Sequence, residues 1–104
     1  MKTATTETIA GHEITEVLGV VRGSTVRARN VGRDIFAGLK NLVGGEIEEY
    51  TRLAADSREE AYFRMVKDAE RLGADAVVGV RFTTSMIMQG ASEMLAFGTA
   101  VKLK

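Results

Sequence analysis

Few side chains in this sequence carry the chemistry of a site. There is one histidine, His12, with Glu13 and Glu16 close by. On an extended strand His12 and Glu16 share a face, so an imidazole and a carboxylate could supply part of a cation's coordination. The plainer account is a solvated turn histidine. Met86, Met88 and Met94 form the second group. Met86 and Met88 alternate onto one strand face, and Met94 lies across a hairpin, so three thioethers could hold Cu(I). The competing account is that methionine fills irregular apolar gaps. The third group is Arg22, Arg27, Arg29 and Arg33, a stretch with no acid between Arg22 and Arg33. Repeated around an assembly it would make a positive belt for anions. Its competitor is pairing with the later segment Glu46–Asp75, where acids outnumber bases.

Other chemistries lack their parts. No cysteine is present, which removes disulfides, thiolate metal sites and cysteine nucleophiles together. A hydroxyl nucleophile needs a base and an orienting group, and a lone histidine near the N-terminus offers no such set. Glu48-Glu49 and Glu59-Glu60 read as a solvated helix face. The glycines match neither a phosphate-binding loop nor a dinucleotide fingerprint. The chain is therefore expected to be no enzyme, and no cofactor is required by the sequence. Fourteen basic side chains balance fourteen acidic ones, so no net field draws it to nucleic acid. No aromatic interleaves the arginines, which argues against base stacking. No apolar run approaches the roughly 20 residues that span a bilayer, and no signal-like start is seen, so a cytoplasmic location is the expectation.

The elements that would position these groups follow from periodicity and punctuation. With 104 residues the chain is read as one domain, 1–104, and proline is absent, so glycine marks its turns. Thr3–Thr6 is a short β-prone run. From Glu13 a strand carries Val17, Gly19, Val21, Gly23 and Thr25 on one face if it is regular. Gly19 and Gly23 signal a bulge or the close approach of another backbone. Asn30 can cap a helix over 31–43 with Ile35, Phe36, Leu39, Leu42 and Val43 as its stripe. A second helix is expected over 46–72, with an interruption of its apolar face at Ser57 and Arg58. Gly73 is placed to end it in a left-handed conformation. Ala76–Met88 and Ser92–Leu103 read as a hairpin around Gln89-Gly90-Ala91. In the first of these strands Val78, Val80 and Phe82 are assigned one face. In the second, Leu95, Phe97, Thr99, Val101 and Leu103 oppose Met94, Ala96, Gly98 and Ala100. The class is α+β, a β-α-β-β unit with a three-strand antiparallel sheet, helices on one face, and an extra short N-terminal strand.

The same pattern predicts a homo-oligomer. A continuous 46–72 helix measures about 40 Å, while a compact domain of this length has a radius of gyration near 13 Å. Val77, Gly79, Ala96, Gly98 and Ala100 form small uncharged surfaces that admit a neighbouring element closely. Thr3 and Thr5, in the short N-terminal run, could cover a sheet edge during assembly.

Five blocks carry a wider resemblance: Leu18-Gly19-Val20-Val21, Arg33-Asp34-Ile35-Phe36-Ala37, Val43-Gly44-Gly45, Leu72-Gly73-Ala74-Asp75-Ala76-Val77-Val78-Gly79-Val80, and Phe97-Gly98-Thr99-Ala100-Val101. In this order they resemble the YbjQ-like family over nearly the whole chain. The resemblance implies a fold like the dodecin subunit, assembled as a ring-shaped homopentamer. It implies no established activity. The family carries a heavy-metal-binding label, which points to no ligand residues that map here. The function expected is that of a ring-forming, non-catalytic binding or scaffold protein with unknown ligand. The alternatives are a heavy-metal or other cation binder, and a small-molecule carrier resembling dodecin, for which only Tyr50, Tyr62 and the phenylalanines could supply aromatic contacts.

Overall fold

A computed structural model describes residues 1–28 and 48–104, with side chains for 1–27 and 54–104. Four strands and one helix are formed among them: β1 (Lys2–Thr3), β2 (Ile14–Ala28), α1 (Glu48–Arg71), β3 (Ala76–Met88) and β4 (Ala91–Leu103). The expected helix over 31–43 lies outside the described residues. The strands make one mixed sheet in the order β1-β3-β4-β2. β4 pairs antiparallel with both β2 and β3, and β1 runs parallel to β3. This corrects the three-strand antiparallel expectation. The N-terminal run is a fourth strand, built into the chain's own sheet, and its pairing is parallel because the chain crosses the sheet before β3 begins.

Hydrogen bonds extend β1 beyond its two residues. Ala4 N–H donates to the Val77 carbonyl at 2.9 Å, and Gly79 and Val80 N–H donate to the Thr6 and Ala4 carbonyls. Arg81 Nη1 adds a bond to the Thr5 carbonyl at 2.8 Å.

α1 is unbroken across Ser57 and Arg58. Ser57 interrupts the apolar stripe without a kink because it faces β2. Its carbonyl accepts from Thr25 Oγ1 at 3.1 Å, and its hydroxyl accepts from Arg27 Nε at 3.1 Å. Gly73, at φ +76°, ends the helix. Gly73 N–H reaches the Glu70 carbonyl and Ala74 N–H reaches the Ala69 carbonyl, which is the paired closure that a left-handed terminal glycine permits.

Two glycines settle how α1 meets the sheet. Gly19 has φ +135° and lies at a register shift between Val17 and Gly19, so it is the bulge of β2. The strand is not regular, and the expected single face is split: Val17 is exposed while Val21 is fully buried. Gly23 is the close approach, because a Cβ there would strike the Ala61 carbonyl and the Met65 amide of α1. A second bulge acts the same way in β3. Gly79 sits at φ +64° within the shift between Val78 and Arg81. Val77 and Val80 therefore pack under α1 while Val78 turns to the opposite face, which corrects the alternation assigned from sequence.

The main core lies between α1 and the sheet: Val21, Ala61, Met65, Ala69, Val77, Val80, Ala96 and Ala100. A smaller cluster of Ala76, Val78 and Val101 lies on the other face, with Ile9, Ile14 and Leu103 packed against it. The far half of β3 has no such cover. Every residue from Arg81 to Gln89 is exposed. The radius of gyration is 17.5 Å, against about 13 Å for a compact domain of this length. No described helix is long and apolar enough to cross a membrane.

Candidate functional site

The sequence offered three clusters and one set of packing surfaces. The fold separates most of them. His12 precedes β2, in an isolated bridge with Ile9, and the register shift between Ile14 and Glu16 breaks the alternation that would align it with Glu16. Its Nε2 instead accepts from Lys2 Nζ at 2.7 Å. An ammonium on the imidazole lone pair competes with a metal ion for that lone pair. Among the described residues no three His, Cys, Asp or Glu side chains gather as a ligand set.

The methionines share one end of the sheet without converging. Met94 is half-buried beside the main core, and its Sδ accepts from Thr84 Oγ1 at 3.3 Å. Met86 and Met88 stand in solvent, 79% and 65% exposed. The shift between them in the β3–β4 register removes the common face expected for i and i+2.

The arginines meet the acidic helix. Arg27 Nη2 bonds Glu60 Oε2 at 2.5 Å, and Arg64 Nη2 bonds Glu60 Oε1 at 2.5 Å. Asp68 accepts from the Arg22 main-chain N–H at 3.3 Å and from Arg71 Nη2 at 2.9 Å. The Arg71 hydrogen bond, more than the Arg22 contacts, holds the Asp68 carboxyl below the usual carboxylate range, against a smaller upward push from partial burial. Arg64 Nη1 donates to the Ser24 carbonyl at 2.6 Å. Arg29 and Arg33 lie outside the described residues. Arg27 is thus tied to α1 by its guanidinium, and Arg22 by its main chain alone.

The small surfaces are occupied from within the chain. Val77, Ala96 and Ala100 are fully buried under α1, and a Cβ on Gly98 would come within 2.7 Å of Val77 Cγ1. Val77, Ala96 and Ala100 do admit a neighbour closely, the chain's own helix, while Gly98 admits the Val77 and Val80 side chains of β3. They are not open to a second copy, and Gly79 serves as the β3 bulge. Thr3 Oγ1 and Tyr62 Oη are 2.7 Å apart, which pins β1 to α1. Thr5 offers its carbonyl to Arg81.

What the sequence reading missed is an apolar surface elsewhere. Val20 and Val26 on β2, and Phe82, Met86, Ile87 and Met88 on β3, are all exposed. Phe82 stacks on Tyr62 with ring centroids 6.4 Å apart and still presents part of its surface to water. A signal was available: the run Phe82-Thr83-Thr84-Ser85-Met86-Ile87-Met88 carries no charge, which is unusual for a strand with two solvated faces. Scattered apolar residues are ordinary on a surface; Met86, Ile87 and Met88 are consecutive and all exposed, and a group of that kind marks a place of association.

Comparison with known proteins places the chain. A "UPF0145 protein" of Archaeoglobus fulgidus is 65% identical over 100 residues, 96% of this chain and 93% of that one. A "UPF0145 protein" of Methanosarcina acetivorans is 60% identical, again over 96% of this chain and 94% of its own length. A crystal structure from Pediococcus pentosaceus, a protein of unknown function in the DUF74 family, superposes with a TM-score of 0.67 over the whole chain and 98% of its own, at 17% identity. That likeness speaks to the fold alone. Residues 1–104 match the YbjQ family, described as "putative heavy-metal-binding", and the chain belongs to that family.

Proposed function

We propose that this chain is a non-catalytic binding or scaffold protein whose working form is a homo-oligomer, arranged as a ring in keeping with the family resemblance. The observation that carries this reading is the number of large apolar side chains left in solvent on β2 and β3, where Val20, Val26, Met86, Ile87 and Met88 are each more than half exposed. Side chains of this kind gain about 25 cal/mol per Å² when removed from water, so leaving several together in solvent favours contact with another surface. Native mass spectrometry and sedimentation at micromolar concentration test the reading. A multimer is expected, and a species of only 11.2 kDa would overturn it.

Cation binding is the second reading, supported by the family's description and by three methionine sulfurs at one end of the sheet. Titration with Cu(I) against a competing chelator tests it. Retention in the parent that is lost in a Met86→Leu, Met88→Leu, Met94→Leu variant supports it, and no retention tighter than micromolar removes it.

A further inference from the structure

The five methionines of this chain stand in unlike surroundings. Met65 is fully buried beneath the sheet-facing side of α1. Met94 is half-buried, lies between Thr25 of β2 and Thr84 of β3, and its sulfur already takes the Thr84 hydroxyl. Met1 is exposed at the start of the chain, next to β1. Met86 and Met88 are the most exposed of the five, near the β3–β4 turn. Their partners across the hairpin are Ser92 and Ala91, side chains too short to cover a thioether. The two bracket exposed Ile87, in a run from Phe82 to Met88 that holds no charge.

We propose that Met86 and Met88 are a paired oxidation site, and that their sulfoxides switch off association through the Met86-Ile87-Met88 surface. This inference rests on the proposed self-assembly and names a means of regulating it. The oxidant is a peroxide, one per sulfur. A sulfur lone pair attacks one peroxide oxygen, the S–O bond forms as the O–O bond breaks, and the other oxygen leaves as water. Sulfur gives up two electrons and the peroxide takes them. Access decides which methionine reacts. The sulfurs of Met86 and Met88 meet solvent before subunits join, whereas Met65 is out of reach and Met94 is partly shielded. Oxidation replaces a flexible apolar side chain with a polar, chiral one. The contact is driven by removing apolar area from water, and a buried sulfoxide oxygen without a donor opposes it. Enzymatic reduction of the sulfoxide restores the thioether, so the surface can be reset. The switch acts on each subunit by itself and leaves the number of copies in a ring free.

The chain has no cysteine, so mild hydrogen peroxide acts on its methionines without competition from thiols. The protein is diluted toward free subunits, treated with peroxide, mapped by peptide mass spectrometry, concentrated again and examined by native mass spectrometry. Met86 and Met88 are expected to gain oxygen roughly tenfold faster than Met94, with Met65 last. The oxidised chain is expected to associate roughly tenfold more weakly. A Met86→Leu, Met88→Leu variant conserves volume and leaves Met1 open to peroxide, and is expected to assemble as well after treatment as before. A Met86→Gln, Met88→Gln variant is polar without any oxidant and is expected to associate as weakly as the oxidised parent. Three results overturn the switch and leave self-assembly standing: Met86 and Met88 that oxidise no faster than Met94, an oxidised parent that associates as before, or a glutamine variant that associates like the parent. A parent that is monomeric at every concentration overturns both.

Discussion

Replacing Gly23 with alanine adds one methyl group at the point where α1 crosses β2. The new Cβ would lie 2.6 Å from Arg64 Cβ and would also overlap the Ala61 carbonyl and Met65 amide. Two of the three obstacles are helix backbone, so no side chain can swing aside to relieve them. To reach ordinary contact distance α1 must retreat by about 1 Å, and a gap of that size forfeits a quarter to a half of the dispersion energy across it. The loss falls on Val21, Ala61 and Met65, which are fully buried there. Overpacking of this kind costs about 3 kcal/mol, the upper part of the usual range. That is a large share of a total stability of about 5–15 kcal/mol, and it lowers the melting temperature by roughly 10–20 °C in a domain of this size. Gly11→Ala is the control. Unlike Gly23 it sits at positive φ, +80°, and its Cβ would have open space around it, so only backbone strain of about 1 kcal/mol is expected. Urea unfolding at one fixed protein concentration compares the two, since any association shifts apparent stability with concentration. If Gly23→Ala loses no more than Gly11→Ala, α1 does not press on β2 as described.

Three further outcomes follow from the same contacts. Met65→Ala should cost about 3 kcal/mol in urea unfolding, because the side chain is fully buried, while Phe63→Ala, on the exposed face two residues away, should cost far less. Asp68 has a folded-state pKa below its unfolded value, so its contribution to stability is present above the ordinary carboxylate range and is lost as pH falls through the folded value. Acid unfolding curves should therefore show a shallower loss below about pH 4 for Asp68→Asn than for the parent. Thr25→Val keeps the shape but removes the buried bond to the Ser57 carbonyl, and should cost about 1 kcal/mol in the same melts.

Much of the fold was legible because glycine marked it. Gly73 and Gly90 stood at the ends of periodic segments, and both adopt positive φ there. Gly19 and Gly23 were suspect for a bulge and a close approach, and each turned out to be one of these. Gly79 was the gap in the reading. A glycine inside an alternating run looks the same whether it continues the strand or bulges it, and only the bulge puts both Val77 and Val80 under α1. The parallel pairing of β1 was hidden for another reason. Two residues carry no periodicity, and their partners lie more than seventy positions away. The small residues of β4 were correctly read as a surface for close packing, yet sequence cannot say whose element packs there. The methionines and His12 show the limit of spacing as a guide to sites, since a single register shift separates residues that an ideal strand would align.

The order of the strands has a consequence for how the chain comes into being. Among the described residues β2 finds its strand neighbour only in β4, with Ile14 opposite Leu103 and Ala28 opposite Ala91. β1 must wait for Ala76 and Val77. As the chain leaves the ribosome from its N-terminal end, β2 therefore has no partner until the last fifteen or so residues have been made. Until then its main-chain groups lack their strand partner, and among the described elements α1 is the one whose hydrogen bonds are local. Such long-range pairing slows folding, and it makes the final strand the step on which everything before it depends. A ribosome stalled even a few codons before Leu103 would hold a chain whose longest strand is complete in length and unpaired along much of it.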